Sequence, residues 1–262
     1  MQWKDSGLIL SVRKHGENSV IIHAFTREQG RSAGLVRGGV GRRLRGILQP
    51  GNEVDLAWRS RLSEQLGAFT VELRKSRASA LFDAPDALAG ASSALALLDI
   101  VLPEREAHGA LFDATLLLFD ALADQPEIWP LLLARWELGL LSEIGYGLDL
   151  THCAATGVTQ DLIYVSPKSG RAVSAAAGQP YHDKLLLLPA FLRTRSFDPE
   201  AAEEATTADM LGGLELTGYF IGKFMGEHHP KMHLSARERM LGALRRRYAS
   251  QSGVNLSEND AP

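Results

Sequence analysis

This sequence has little cysteine and no long apolar run, and its opening residues do not resemble a leader. Its single cysteine, Cys153, excludes an internal disulfide and fits a reducing compartment. The opening residues, MQWKDSGLILSVRKHG, contain neither the long apolar run nor the small-residue cleavage site of a signal peptide. The apolar runs at 131–133 and 185–188 end far short of the roughly 20 residues that span a bilayer. We therefore expect a cytoplasmic protein without a membrane partner.

Recognisable catalytic motifs are also missing. The phosphate-loop pattern G-x-x-x-x-G-K-S/T does not occur, and no carboxylate pair, Ser/His/Asp set or nucleophilic cysteine has a convincing context. His228, His229 and His233 are close in sequence, but Pro230 interrupts the helix on which they would share a face. We predict a protein that is not an enzyme and takes no cofactor. A hydrolase that uses these histidines is an alternative.

Positive charge is concentrated in the first 80 residues. They hold 14 of the 28 Lys and Arg residues but only 7 of the 31 Asp and Glu residues. The first segment therefore carries about +7 and the remainder about −10, although the whole chain has a net charge of −3. Because the local field attracts a polyanion, this distribution predicts a segment that binds nucleic acid and a body that contacts other proteins.

The first segment also has the pattern of short β-strands. A hairpin is predicted at 27–30, with positive φ at Gly30, and a run of glycines between 38 and 41 interrupts regular structure. Five short strands in about 75 residues favour a small closed or nearly closed barrel, since closure removes exposed edges. The predicted strands lie near residues 8–13, 20–25, 35–36, 54–58 and 68–73.

From about residue 81 the apolar spacing becomes helical. Helices are predicted at 92–102, 110–123 and 127–144, and another after Asp198, a candidate N-cap. The predicted fold class is α+β: a β-barrel, then a helical domain with an irregular insert. The expected boundaries are 1–80 for the barrel, 81–250 for the helical domain, about 149–190 for the insert and 251–262 for a flexible tail.

Nine basic side chains of the first segment form the predicted nucleic-acid-binding surface. Four arginines lie within nine residues on the glycine-broken connection, where planar guanidinium groups can follow a phosphate backbone. Five more basic residues lie at the ends of the fourth and fifth predicted strands. The alternative is a solvated surface that keeps the barrel soluble. The nine residues are Arg37, Arg42, Arg43, Arg45, Arg59, Arg61, Arg74, Lys75 and Arg77.

Few aromatic side chains of this segment are candidates for base stacking. Phe25 and Phe69 lie within apolar alternation and are predicted to be core, whereas Trp58 precedes Arg59 and is a candidate for partial exposure. Trp3 is the fourth aromatic residue considered. Many arginines and few aromatic platforms favour contacts with the nucleic-acid backbone, so we expect sequence-tolerant and strongly salt-dependent binding.

Four stretches of the chain resemble the RecO family of bacterial DNA-repair and recombination mediators. They are QWKDSGLILSVRKHGENSVIIHAFTREQGRSAGLVRGG, RRLRGILQPGNEVDLAWRSR, LGAFTVELRKSRA and, less strongly, WELGLLSEIGYGLDLTHCAATG. The resemblance implies an N-terminal OB-fold barrel and a helical domain. It further implies binding of single- and double-stranded DNA, annealing of complementary strands, and cooperation with RecR and single-strand-binding protein to load RecA. The expected location is the bacterial cytoplasm, at the nucleoid during repair.

Some members of this family hold zinc in the insert through pairs of cysteines. Cys153 stands at the first of these positions, but Thr156 replaces its partner, and residues 173–177 offer only serine and alanine. A structural zinc site needs four nitrogen or sulfur ligands. The insert is therefore predicted to be a degenerate zinc-finger-like region without a metal, held by hydrogen bonds and packing.

The helical region is expected to contact protein partners. Trp129 and Trp136 fall on one helix face beside Arg135, and core packing is the expected role. The alternative is a pocket for the acidic, aromatic-ended C-terminal tail of single-strand-binding protein, as the resemblance implies. RecR is expected at the barrel, where it would compete with DNA. The rival function is that of an RNA-binding or ribosome-associated OB-fold protein.

Overall fold

The computed structural model describes residues 1–61, 66–194 and 202–251. The chain divides into two compact units, Met1–Tyr146 and Gly147–Pro262. The helix start predicted at Asp198 and the predicted tail from residue 252 onward lie outside the described residues.

A closed five-stranded barrel forms the first part of the first unit, as predicted. Its strands follow the order β1-β2-β3-β5-β4 around the barrel. All neighbours are antiparallel except β3 and β5, which run parallel. Gly30 takes the predicted positive φ in the β2–β3 hairpin. The strands are β1 (Gln2–His15), β2 (Ser19–Thr26), β3 (Gly30–Arg37), β4 (Glu53–Arg59) and β5 (Gly67–Lys75).

Two facing glycines close this barrel at the β3–β5 seam. Gly34 pairs with Gly67 in a short parallel register. A Cβ atom on Gly34 would lie 2.3 Å from the ring of Phe69, and one on Gly67 would lie 2.1 Å from the ring of Trp58. Because both aromatic rings lie directly over the seam, no side chain fits at either position.

A short helix, α1 (Arg42–Ile47), occupies the glycine-broken connection between β3 and β4. The sequence pattern did not predict it. A turn precedes it, in which the amide of Gly41 donates to the carbonyl of Gly38 at 3.0 Å. Arginine and leucine are good helix formers, and Leu44 and Ile47 pack against the barrel core. The helix therefore presents its arginines outward while its apolar side anchors it.

Four further helices lie among the described residues of the first unit. The helices predicted at 92–102, 110–123 and 127–144 are confirmed with shifted ends. Phe112 joins the barrel to this layer, because its ring lies 5.5 Å from that of Phe25 in an edge-on contact. The helices are α2 (Arg77–Ala80), α3 (Pro85–Val101), α4 (Gly109–Asp124) and α5 (Trp129–Glu143).

The second unit combines a small sheet with helices. The region predicted to be irregular contains β6 (Leu162–Val165), β7 (Ala172–Ser174) and β8 (Leu186–Leu187), in the order β7-β6-β8. Thr206 caps the helix that begins at Thr207 through a reciprocal pair of hydrogen bonds with Asp209. The other elements among the described residues of this unit are α6 (Ala175–Gly178), α7 (Thr207–His228), α8 (Ser235–Gln251) and 3₁₀ turns at Gln179–Lys184 and Ala190–Leu192.

Candidate nucleic-acid interface

Six of the nine predicted basic residues form an exposed surface at one end of the barrel, which we call the arginine strip: Arg37, Arg42, Arg43, Arg45, Arg59 and Arg61. A cleft of about 740 Å³ lies between α1 and β5, and Arg37, Arg42 and Arg43 line it. A second cleft of about 480 Å³ is lined by Arg37, Arg59 and Arg61. The two clefts adjoin because Arg37 and Ala68 line both.

The strand register explains why residues distant in sequence meet here. Arg37 and Arg59 are the last residues of β3 and β4. Ala68 of β5 pairs with Leu35 on one side and with Arg59 on the other, so β5 lies between the two arginine-bearing strands. Neighbouring strands lie about 4.8 Å apart, which brings both guanidinium groups within reach of one extended polyanion.

Among the described residues, the arginine strip carries positive charge without carboxylate partners. Within residues 1–61, 66–194 and 202–251, no carboxylate forms an ion pair with any of its six arginines. All six side chains are exposed. Guanidinium groups in this state are hydrated by water and bind phosphate oxygens without first giving up a protein partner.

Arg74, Lys75 and Arg77 lie at the opposite end of the β4–β5 hairpin, among acidic residues. Lys75 Nζ lies 2.7 Å from Asp120 Oδ1, and Arg74 Nε lies 3.4 Å from Glu53 Oε1. Arg59 lies six positions after Glu53 along β4, which is a distance of about 20 Å along the strand. Arg74 and Lys75 are exposed, yet each already has a carboxylate partner.

Arg77 was predicted to belong to the DNA-binding surface, but its side chain is buried. It is only 7% exposed and lies 3.0 Å from Glu53 and 2.6 Å from Asp120. Burial raises the pKa of Asp120, but the hydrogen bonds from Lys75 and Arg77 outweigh burial and bring the pKa below its ordinary value. Arg77 therefore joins the barrel to α4, and no pattern in the sequence indicates that α4 supplies this carboxylate.

The β1–β2 hairpin adds basic residues that were not predicted to belong to this surface. Arg13, Lys14 and His15 are exposed at the end of β1. His15 pairs with Ser19, which pairs with Arg37, and His15 lines the second cleft. The run of three basic residues before Gly16 is the signal that would have found them.

The aromatic side chains of the barrel are largely internal. Phe25 and Phe69 are core, as predicted. Trp58, the candidate for partial exposure, is only 5% exposed. Trp3 is half-buried, and its ring stacks on that of Trp58 with centroids 5.8 Å apart.

The environment of Cys153 does not fit a zinc ion. Its buried Sγ accepts a hydrogen bond from the amide of Ser174 at 3.3 Å. Burial raises the pKa of this thiol, but hydrogen bonds from Ser174, Thr156 and the Ala155 amide outweigh burial and lower the pKa to about 6. Thr156 and Ser174, which stand at predicted zinc-ligand positions, lie beside Cys153, so these positions offer one sulfur ligand. Within the described part of the chain, no three His, Cys, Asp or Glu residues are grouped for a metal.

A groove between α4 and α5 is a second candidate site. It has a volume of about 340 Å³ and a mainly apolar wall that includes Trp136, with Arg135 and Glu143 as its charged residues. The indole of Trp136 donates to Thr115 Oγ1 at 3.0 Å, which fixes its orientation. Trp129 is core, as predicted, whereas Leu117 is 70% exposed at the groove.

These features define a class of protein. A closed five-stranded barrel in the order 1-2-3-5-4, with arginine-lined clefts and helices after it, is an OB-fold protein with a helical domain. Among the described helices, none combines the length and apolar character needed to cross a bilayer.

Comparisons with known proteins identify the family. Residues 1–77 match the family model described as recombination protein O N terminal, and residues 83–233 match recombination protein O C terminal. The chain is 51% identical to the DNA repair protein RecO of Rhodospirillum centenum, over 86% of this chain and 87% of that protein. It is 46% identical to that of Mesorhizobium japonicum, over 97% and 98% respectively. The chain belongs to the RecO family of DNA repair and recombination proteins.

Proposed function

We propose that this protein is a non-catalytic mediator of recombinational DNA repair. It binds single- and double-stranded DNA, anneals complementary strands and, with RecR, helps to load RecA on DNA coated by single-strand-binding protein. It acts in the cytoplasm, at the nucleoid during repair. The observation that carries the proposal is the arginine strip, an exposed guanidinium surface without carboxylate partners among the described residues.

Backbone contact follows from the chemistry of the strip. Guanidinium groups bind phosphate oxygens in pairs, and such contacts carry no sequence information. Each contact releases condensed counterions, so affinity falls steeply as salt rises. A surface that neutralises phosphates on two strands also reduces the repulsion between them, which is the physical requirement for annealing. Arg37 belongs to both clefts and is central to this surface.

The groove between α4 and α5 is the proposed site for the C-terminal tail of single-strand-binding protein. Its apolar wall suits an aromatic end group, and Arg135 supplies a cation for an acidic peptide. Binding at this groove would leave the arginine strip free for the DNA that the partner releases. RecR is proposed to bind the barrel and to compete with DNA there.

Equilibrium binding of labelled oligonucleotides tests the proposed function. We expect similar affinity for strands of different sequence, and a linear fall in log affinity with log salt between about 50 and 200 mM. Annealing of complementary strands coated by single-strand-binding protein should be faster with the protein than without it. A flat salt titration, or stronger binding and annealing of RNA than of DNA, would contradict the proposal.

A further inference from the structure

A pocket beside the arginine strip contains the one stacked tryptophan pair among the described residues of the barrel. It has a volume of about 310 Å³, and its walls include Gln2, Trp3, Ser32, Trp58 and Arg105. Trp3 and Trp58 lie nearly parallel, with an angle of 14° between their planes. The pocket thus combines aromatic surface with hydrogen-bonding side chains, which is the composition that a planar heteroaromatic ring requires.

The walls of this pocket are held in place. The ring of Trp58 lies over the barrel seam, where a Cβ on Gly67 would approach it to 2.1 Å, so it has no room to move inward. The guanidinium carbon of Arg105 lies 5.7 Å from the centroid of that ring. Arg105 has a backbone φ of 61°, which is uncommon for a residue other than glycine, and its amide donates to the carbonyl of Arg31 at 2.9 Å. The backbone bond to β3 thus holds a strained residue at the pocket, as is common at binding sites.

The pocket opens next to the phosphate-binding surface. Gln2 pairs with Arg59 across β1 and β4. The amino group of Met1 donates to the carbonyl of Ser60 at 2.7 Å, and the Ser60 amide donates back to Met1 at 3.0 Å. Arg59 and Ser60 both line the second cleft of the strip. A strand whose phosphates lie on Arg59 therefore has a base within reach of Trp3.

We infer that this pocket binds one nucleobase of a single strand, an inference that rests on the proposed function. The base stacks on the indole of Trp3, while Gln2, Ser32 and Arg105 present polar groups to its edge. A base within a duplex is stacked and paired, so it does not enter. The pocket thus gives the protein a preference for single-stranded over double-stranded DNA that phosphate contacts alone do not supply.

An abasic oligonucleotide tests the inference with the unaltered protein. A thymidine strand and a strand with the same phosphates but no bases are compared at one salt concentration. We expect the abasic strand to bind about 5- to 150-fold more weakly, the range for loss of one base–aromatic stack. Equal affinity for the two strands would overturn the nucleobase pocket and leave the proposed function intact. Failure of both strands to bind would contradict the proposed function itself.

Variants then locate the base. Trp3→Ala should bind the two strands equally and retain its affinity for duplex DNA, whereas Trp3→Phe should keep part of the preference. Phe82→Ala is the matched control, because it removes a highly exposed ring from the same unit outside both clefts. A preference that survives in Trp3→Ala, with the fold confirmed by circular dichroism, would contradict the assignment. If Trp3→Ala does not fold, the comparison of strands on the unaltered protein decides alone.

Discussion

Replacement of the three arginines of α1 by alanine should weaken DNA binding without unfolding the barrel. Arg42, Arg43 and Arg45 are exposed, and α1 contains no buried residue. Alanine has the highest helix propensity, so α1 should persist. The apolar contacts of Leu44 and Ile47 with the barrel core are not altered.

The size of the effect follows from counterion release. Each phosphate contact on a single strand contributes about 0.7 to the slope of log affinity against log salt. Loss of three contacts should lower that slope by about 2, which corresponds to about a 100-fold loss of affinity at 0.1 M relative to 1 M salt. Fluorescence anisotropy of a labelled single strand at several salt concentrations measures both quantities.

A matched control removes the same charge from another part of the barrel. Lys4, Arg74 and Lys75 are exposed basic residues outside the arginine strip, and the last two have carboxylate partners. Their combined replacement by alanine also removes three positive charges, but the salt slope should change by less than about 1. Equal losses of slope in the two triple variants would refute the reasoning, because net charge rather than the strip would then determine affinity.

Three further predictions concern the barrel and the second unit. Arg77→Ala leaves carboxylates without their partner and should lower the free energy of unfolding by about 3 kcal/mol. The control Lys75→Ala, at an exposed position, should lower it by about 1 kcal/mol or less. Equal losses for the two variants in urea denaturation would contradict a buried ion pair at Arg77. Gly67→Ala places a methyl group against the ring of Trp58 and should lower the free energy of unfolding by about 1–3 kcal/mol in the same assay. No change in that free energy would show that the seam has free space. The thiolate absorbance of Cys153, the single cysteine of the chain, should titrate with a midpoint near pH 6. The midpoint should rise in Thr156→Val, which loses one hydrogen bond to the sulfur. A midpoint at the ordinary thiol value in the unaltered protein would exclude the hydrogen-bonded thiolate. Since this pKa is lowered on folding, its contribution to stability is present at high pH and is lost as pH falls through about 6.

The alternation of apolar residues was sufficient to predict the barrel, because inward side chains such as Val20, Ile22 and Ala24 of β2 recur with the period of a strand. The same period did not show which strands close the barrel. That depends on Gly34 and Gly67, whose pairing joins residues far apart in sequence. Helix periodicity likewise located α3 to α5, but the α1 segment is too short to display a helical repeat.

The candidate site was predictable in part for a related reason. Clustering in sequence identified Arg42, Arg43 and Arg45, since residues on one short helix necessarily lie close together in space. Position at a strand end did not distinguish Arg59 from Arg77, because the distinction depends on which carboxylates the folded chain brings near. Asp120 lies on α4, over 40 residues away from Arg77 in sequence, and no local sequence pattern predicts that contact. The pocket at Trp3 was missed for the same reason, since Arg105 reaches it from beyond α3.

Photo-crosslinking of a single strand to the unaltered protein, with the modified peptides mapped by mass spectrometry, tests most directly where DNA binds. A photoreactive group at every position of the strand allows a crosslink wherever the strand contacts the protein. Crosslinks should concentrate in peptides that contain Arg37, α1 and Arg59, and should disappear as salt rises. Crosslinks concentrated instead around Arg74 and Lys75 would contradict the arginine strip as the DNA-binding surface.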